Sequence, residues 1–147
     1  MTAPEIVVRP DAGTLARTVA EELVARLAAA QATHGTASVV LTGGGVGIAV
    51  LEQVAALSSG VDWSAVDVWW GDERFVPADD DDRNEKAARR ALLDVVGVPD
   101  ERVHAMPPSD GAFAEPEDAA AWYAGELAAA APPGGDLPRF DVLLLGI

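Results

Sequence analysis

The chain has 147 residues, half of them apolar, enough for one domain with a sizeable core and too apolar for disorder throughout. Its 24 acidic and 10 basic residues give a formal net charge of −14, which argues against a nucleic-acid partner and disfavours an anionic membrane surface. The absence of cysteine removes disulfides, a thiolate nucleophile and thiolate-bound metals. An anionic metabolite would need a local patch of arginine or backbone N–H groups acting against this overall field. The N-terminus, Met1-Thr2-Ala3-Pro4-Glu5, has neither the basic region nor the apolar core of a signal peptide. No apolar stretch is long enough to span a membrane, so a cytoplasmic location without a membrane partner is expected.

Ile6-Val7-Val8 reads as a short first strand. Asp11 is placed to cap a helix whose buried stripe is Leu15, Val19, Leu23 and Leu27, and Gly35 is its left-handed terminator. Ala37 to Thr42 reads as the next strand, followed at once by Gly43-Gly44-Gly45-Val46-Gly47. Helical spacing then resumes through Ile48, Leu51, Val54 and Leu57. Val66 to Trp70 is the third strand. The polar loop Gly71 to Asp82 leads to a helix that reaches about Val96, with Asp82 and Glu85 at capping-box spacing. Val103 to Met106 reads as a small strand, Pro116 opens a helix running to about Ala131, and Asp141 to Ile147 is a last, apolar strand. Strands alternating with helices predict an α/β fold, a Rossmann-like parallel sheet with helices on both faces. A natural C-terminus is usually polar and loosely held. The apolar run Phe140 to Ile147 is neither, so the sheet is expected to be incomplete at the C-terminal side.

In an open parallel sheet, ligands bind beyond the carboxyl ends of the strands. Two segments fall there. Thr42 and the glycines Gly43, Gly44, Gly45 and Gly47 let the backbone approach an anion, and the next helix points free N–H groups at it. Four glycines in five residues exceed what a tight turn requires, which favours phosphate contact over a bare turn. Gly44 or Gly45 is expected to need a conformation or clearance closed to other residues. The spacing fits neither the dinucleotide fingerprint nor an ATP-type loop. The second segment, Gly71-Asp72-Glu73-Arg74-Phe75-Val76-Pro77, sets Arg74 to grip a phosphate through two N–H groups. Asp72 or Glu73 would hold Arg74 or bind sugar hydroxyls. Asn84 lies in the first turn of the following helix, near the same mouth. Asp79 to Asp82 lacks the calcium-loop spacing and its central glycine, so no metal site is expected. His34 and His104 have no Ser or Asp at a recognisable spacing and read as structural. Trp69 and Trp70 alternate faces on their strand and read as core packing rather than a cofactor stack.

Taken together, Leu41-Thr42-Gly43-Gly44-Gly45, Val61-Asp62-Trp63, Gly71 to Pro77 and Asn84 resemble the 6-phosphogluconolactonase family. Val103-His104-Ala105-Met106 and the Trp122-Tyr123 helix look similar too, so the likeness runs through nearly the whole chain. The resemblance implies hydrolysis of 6-phosphoglucono-1,5-lactone to 6-phosphogluconate, in the oxidative pentose phosphate pathway, with no metal or other cofactor. A phosphorylated sugar lactone is the implied small-molecule partner. It also implies that residues 1–147 are one α/β domain forming the N-terminal portion of a longer sugar-phosphate enzyme domain. The family's general-base histidine lies in a Gly-x-x-Gly-His motif, expected here beyond Ile147, and neither His34 nor His104 matches it. The isolated 147 residues are therefore expected to be inactive and poorly stable. Val46 stands where many members carry a hydroxyl residue. The isomerases and deaminases of the same fold, or an inert sugar-phosphate-binding fragment, are the alternatives.

Overall fold

A computed structural model of the chain describes residues 2–146. Three parallel strands, β1 (Ala37–Leu41), β2 (Val66–Trp70) and β3 (Val142–Leu143), form a sheet in the order β2-β1-β3. Val39 pairs with Val68 on one side and with Val142 on the other, so β1 is central. Helices α1 (Ala12–His34), α2 (Gly44–Ala56), α3 (Asn84–Ala88), α4 (Asp94–Val96) and α5 (Pro116–Ala130) surround it. No described helix is long and apolar enough to cross a membrane.

The alternation of side chains along a strand sets which residues meet which layer. Val39, Leu41, Val66, Val68 and Trp70 face a core closed by Leu23 and Leu27 of α1, by Leu51 and Val54 of α2, and by Leu92 and Leu93. Val40 and Trp69 point the other way, onto Tyr123 of α5, with Phe140 and Leu127 beside them. Trp69 lies flat on the His104 ring, with centroids 3.9 Å apart, and meets Tyr123 edge-on at 5.9 Å. The sheet thus has helices on both faces, and the two tryptophans belong to opposite layers, as their alternation predicts.

The Tyr123 hydroxyl ties that second layer to the sheet. It donates to the His104 carbonyl at 2.8 Å and accepts the Trp70 N–H at 3.2 Å. Burial pushes its pKa up to about 12, because the phenolate would lose its hydration. A raised pKa favours the protonated form in the folded state, so this contribution is intact below about pH 10 and lost as pH rises through the folded value. Tyr123→Phe keeps the ring but strands the Trp70 N–H, and is expected to lower unfolding free energy by about 1–3 kcal/mol. Denaturant titration at neutral pH checks this, and a midpoint equal to that of the parent would show the hydroxyl to be idle.

The helix signals at each end of α1 hold. Asp11 accepts the Thr14 N–H at 2.7 Å, and Gly35 closes the helix at φ 80°. Other expectations are corrected. Ile6 to Val8 form no strand, and Ile6 is 89% exposed, their backbone groups pairing with no strand among the described residues. The fully buried face of α1 is Ala16, Ala20, Leu23 and Leu27, while Leu15 and Val19 are half-buried, because α1 lies close against α2 and the crossing takes small residues. Val103 contributes a single bridge to Val68 rather than a strand. The last strand is only Val142–Leu143, with Leu143 and Leu145 exposed, and the expected Ile147 lies outside the described residues. The helix expected to reach Val96 is continuous but contains a π-helical turn at Arg89–Leu93 between α3 and α4, ending at Gly97 with φ 76°.

Candidate functional site

The carboxyl ends of the three strands open into one cleft of about 460 Å³. From β1 come Thr42, Gly43 and Gly44, from the loop after β2 come Gly71, Asp72 and Arg74, and Asn84 enters from the first turn of α3. Leu144, Leu145 and Gly146 close the third side. Sequence separation is large, yet these residues meet because parallel strands bring all their carboxyl ends to one edge. Gly45 was expected here and does not line the cleft. It sits exposed on the first turn of α2, with open space where a Cβ would be.

The glycines differ in what they do. Helix α2 begins at Gly44, not after Gly47, and its N-terminus carries no side-chain cap. Its first N–H groups are therefore free for an anion, and the helix dipole adds partial positive charge. Gly44 has φ +83°, which disfavours any residue with a Cβ. Gly43 is held by clearance instead, since a Cβ there would lie 2.0 Å from the Asn84 Oδ1.

The Asp72-Glu73-Arg74 segment splits its roles. Glu73 turns inward, its side chain 3% exposed, and accepts the N–H groups of Arg74 at 2.8 Å, Asn84 at 2.7 Å and Glu85 at 2.9 Å. It is thus the cap of α3, and the Asp82–Glu85 capping box does not form. Asp82 lies in the turn before α3 with its N–H on Asp80, and an acceptor from the preceding loop wins the helix N-terminus. Asn84 donates from Nδ2 to the Asp72 carbonyl at 3.2 Å, fastening α3 to the loop. Neither acid holds the Arg74 guanidinium, which joins no ion pair among the described residues and stays exposed on the cleft wall.

Two features were not legible beforehand. Arg83 is 1% exposed, with Nη2 on Glu85 Oε1 at 3.0 Å and on the Met106 carbonyl. Nothing in the local pattern distinguishes it from a solvated arginine. His104 has no acidic partner at a local spacing, yet its Nε2 lies 3.1 Å from Asp67 Oδ1, and Arg102 holds the other Asp67 oxygen at 2.9 Å. The pairing crosses 37 residues, so no spacing rule reveals it. Asp67 lies near the start of β2, and a separate cleft there takes in both His34 and His104. Neither histidine lines the carboxyl-end cleft.

Residues 10–147 match the family model described as glucosamine-6-phosphate isomerases/6-phosphogluconolactonase. A 6-phosphogluconolactonase of Mycobacterium tuberculosis is 50% identical over 139 residues, spanning 94% of this chain and 56% of that protein. One from Streptomyces coelicolor is 47% identical over 149 residues, spanning 98% of this chain and 57% of that protein. Among solved structures, the 6-phosphogluconolactonase of Trypanosoma brucei superposes with a TM-score of 0.77 at 26% identity, covering 96% of this chain and 58% of that one. The chain spans about half the length of the curated relatives it matches. With the glycine turn, the Asp-Glu-Arg loop and the parallel sheet in place over that span, the chain belongs to the glucosamine-6-phosphate isomerase/6-phosphogluconolactonase family.

Proposed function

We propose that the protein is a 6-phosphogluconolactonase that hydrolyses 6-phosphoglucono-1,5-lactone to 6-phosphogluconate, a cytoplasmic step of the oxidative pentose phosphate pathway. The observation that carries this reading is the convergence of uncapped α2 amides, Arg74 and Asn84 on one cleft at the strand ends. The substrate phosphate rests on the amides that follow Gly43 and on the Arg74 guanidinium, with Thr42 beside them. The Asp72 carboxylate and the Asn84 amide face the sugar hydroxyls. Remote binding of the phosphate fixes the lactone carbonyl for attack. A water oxygen adds to the carbonyl carbon while a base takes its proton, and the tetrahedral adduct collapses by breaking the ring C–O bond. The ring oxygen leaves as a hydroxyl, completed by the proton the base had taken. No histidine of the described residues reaches this cleft, and the family resemblance implies a Gly-x-x-Gly-His histidine in the role of the base.

The relatives at 47–50% identity carry the lactonase name, which favours hydrolysis over isomerisation. The experiment follows freshly made 6-phosphoglucono-1,5-lactone by NMR with the protein expressed from its full gene. Lactone loss well above the spontaneous rate, giving 6-phosphogluconate, is expected. Conversion of glucosamine 6-phosphate without lactone turnover would replace this reading by the isomerase one. Binding of 6-phosphogluconate without any turnover would leave only a binding role.

A further inference from the structure

Arg83 is an expensive residue where it sits. A guanidinium with 1% exposure has lost its hydration, and its Nη1 finds no hydrogen-bond partner among the described residues. Glu73 Oε2 lies 4.0 Å from that nitrogen. Glu85 takes the Nε and Nη2 groups at 3.2 and 3.0 Å, and Arg89 holds the far oxygen of Glu85 at 3.1 Å. The cluster is thus two carboxylates and two guanidiniums in alternation, Glu73–Arg83–Glu85–Arg89, with Glu73 and Arg83 buried and Glu85 and Arg89 partly exposed at its outer end. An apolar residue would fill the space at lower cost if packing were the only demand.

What Glu73 does explains the demand. Both of its oxygens are taken up by the N–H groups of Arg74, Asn84 and Glu85. Two of those residues carry the side chains that face the cleft. The Asn84 side chain in turn reaches the Asp72 carbonyl and fills the space left by Gly43. Glu73 therefore fastens the Asp-Glu-Arg loop and the start of α3 to the glycine turn, and it can do so only as an accepting carboxylate. A carboxylate 3% exposed needs a cation behind it.

We propose that Arg83 is a positioning residue for the phosphate mouth, acting through Glu73 to hold Arg74 and Asn84 in register with the glycine turn. The inference rests on the lactonase reading for its kinetic arm only. Removing the Arg83 charge lets Glu73 leave its three amides, so Arg74 and Asn84 lose their common anchor. A displacement near 1 Å of a substrate-gripping group is enough to cost on the order of tenfold or more.

The test is a double-substitution cycle in the protein expressed from its full gene, comparing the parent with Arg83→Met, Glu73→Gln and the pair together. Arg83→Met is expected to raise KM about tenfold with kcat changed less than about threefold, and Glu73→Gln to do the same. The pair should be no worse than the worse single variant, because both act through one carboxylate. Amide hydrogen exchange supplies an arm free of activity. The N–H groups of Arg74, Asn84 and Glu85 should exchange roughly tenfold faster in Arg83→Met, while those of β1 and β2 keep their protection. Should Arg83→Met fail to fold, Arg83→Gln removes the charge while keeping a polar group, and the same faster exchange at those amides with a KM rise of about tenfold is expected. Unchanged exchange and KM in a folded Arg83 variant, or a pair whose effects multiply, would overturn the proposal. A parent protein without lactone turnover would sink the lactonase reading and leave the exchange arm to decide Arg83.

Discussion

Arg74→Ala is expected to raise KM for the phosphorylated lactone by roughly 30- to 700-fold, with the thermal midpoint unchanged. The binding loss follows from removing a charged, two-pronged donor from a phosphate, about 2–4 kcal/mol. The neutral effect on stability follows from geometry. The Arg74 side chain is exposed and joins no ion pair among the described residues, so nothing inside the fold depends on its charge. Its backbone N–H, which Glu73 does hold, survives the change. The net charge of −14 sharpens the expectation, because an anionic substrate meets a repulsive field everywhere except at such local donors. Arg74→Lys should fall between, near tenfold, since a point charge replaces the fork. Steady-state kinetics and calorimetric unfolding of the three proteins decide it. A KM within twofold of the parent in Arg74→Ala would remove Arg74 from the phosphate site.

Gly43→Val is expected to abolish measurable binding of 6-phosphogluconate, while Gly45→Ala binds as the parent does. The contrast is steric. At Gly43 a Cβ would stand 2.0 Å from Asn84 Oδ1 and 2.6 Å from its Cγ, so Asn84 must swing out and give up the Asp72 carbonyl. The glycine turn and α3 then part, and two extra methyl groups widen the gap. At Gly45 a Cβ meets nothing within 4 Å, and alanine suits the first turn of a helix. Gly44→Ala should fail differently. Its φ of +83° imposes strain of about 1–2 kcal/mol, which lowers stability and disturbs the anion-facing amides together. Isothermal titration with 6-phosphogluconate ranks the three. If Gly45→Ala weakened binding as much as Gly43→Val, the ligand would be resting on the outer face of the α2 turn rather than in the cleft.

Much of the architecture was legible in the residues. The apolar runs of β1 and β2, each closed by a polar or glycine segment, announced parallel strands, and Asp11 and Gly35 marked the ends of α1. These are local signals, set by backbone propensity and by groups a few residues apart. The same holds for the mouth. Thr42, Gly43, Gly44, Asp72, Arg74 and Asn84 were picked out because a parallel sheet delivers its strand ends to one edge, and they do meet there. The end of the chain was read less well, since an apolar run marks a strand but does not say how many of its residues will find a pairing partner.

What the tertiary structure decided was the assignment of partners. Which acid caps α3 is settled by reach across a folded loop, where Glu73 displaces the nearer Asp82. Whether a glycine is needed for its φ, for clearance or for neither depends on what stands opposite, which separates Gly44, Gly43 and Gly45. Whether a charged residue is solvated or buried in an ion cluster depends on the walls around it, and Arg83 looks like any surface arginine until Glu73, Glu85 and the Met106 carbonyl close over it. The Asp67–His104 pair is of the same kind, joined across 37 residues by two neighbouring backbone segments. Local sequence carries conformational preference because it acts through neighbouring atoms. Long-range pairing is fixed only when packing selects one partner among many of equal chemistry.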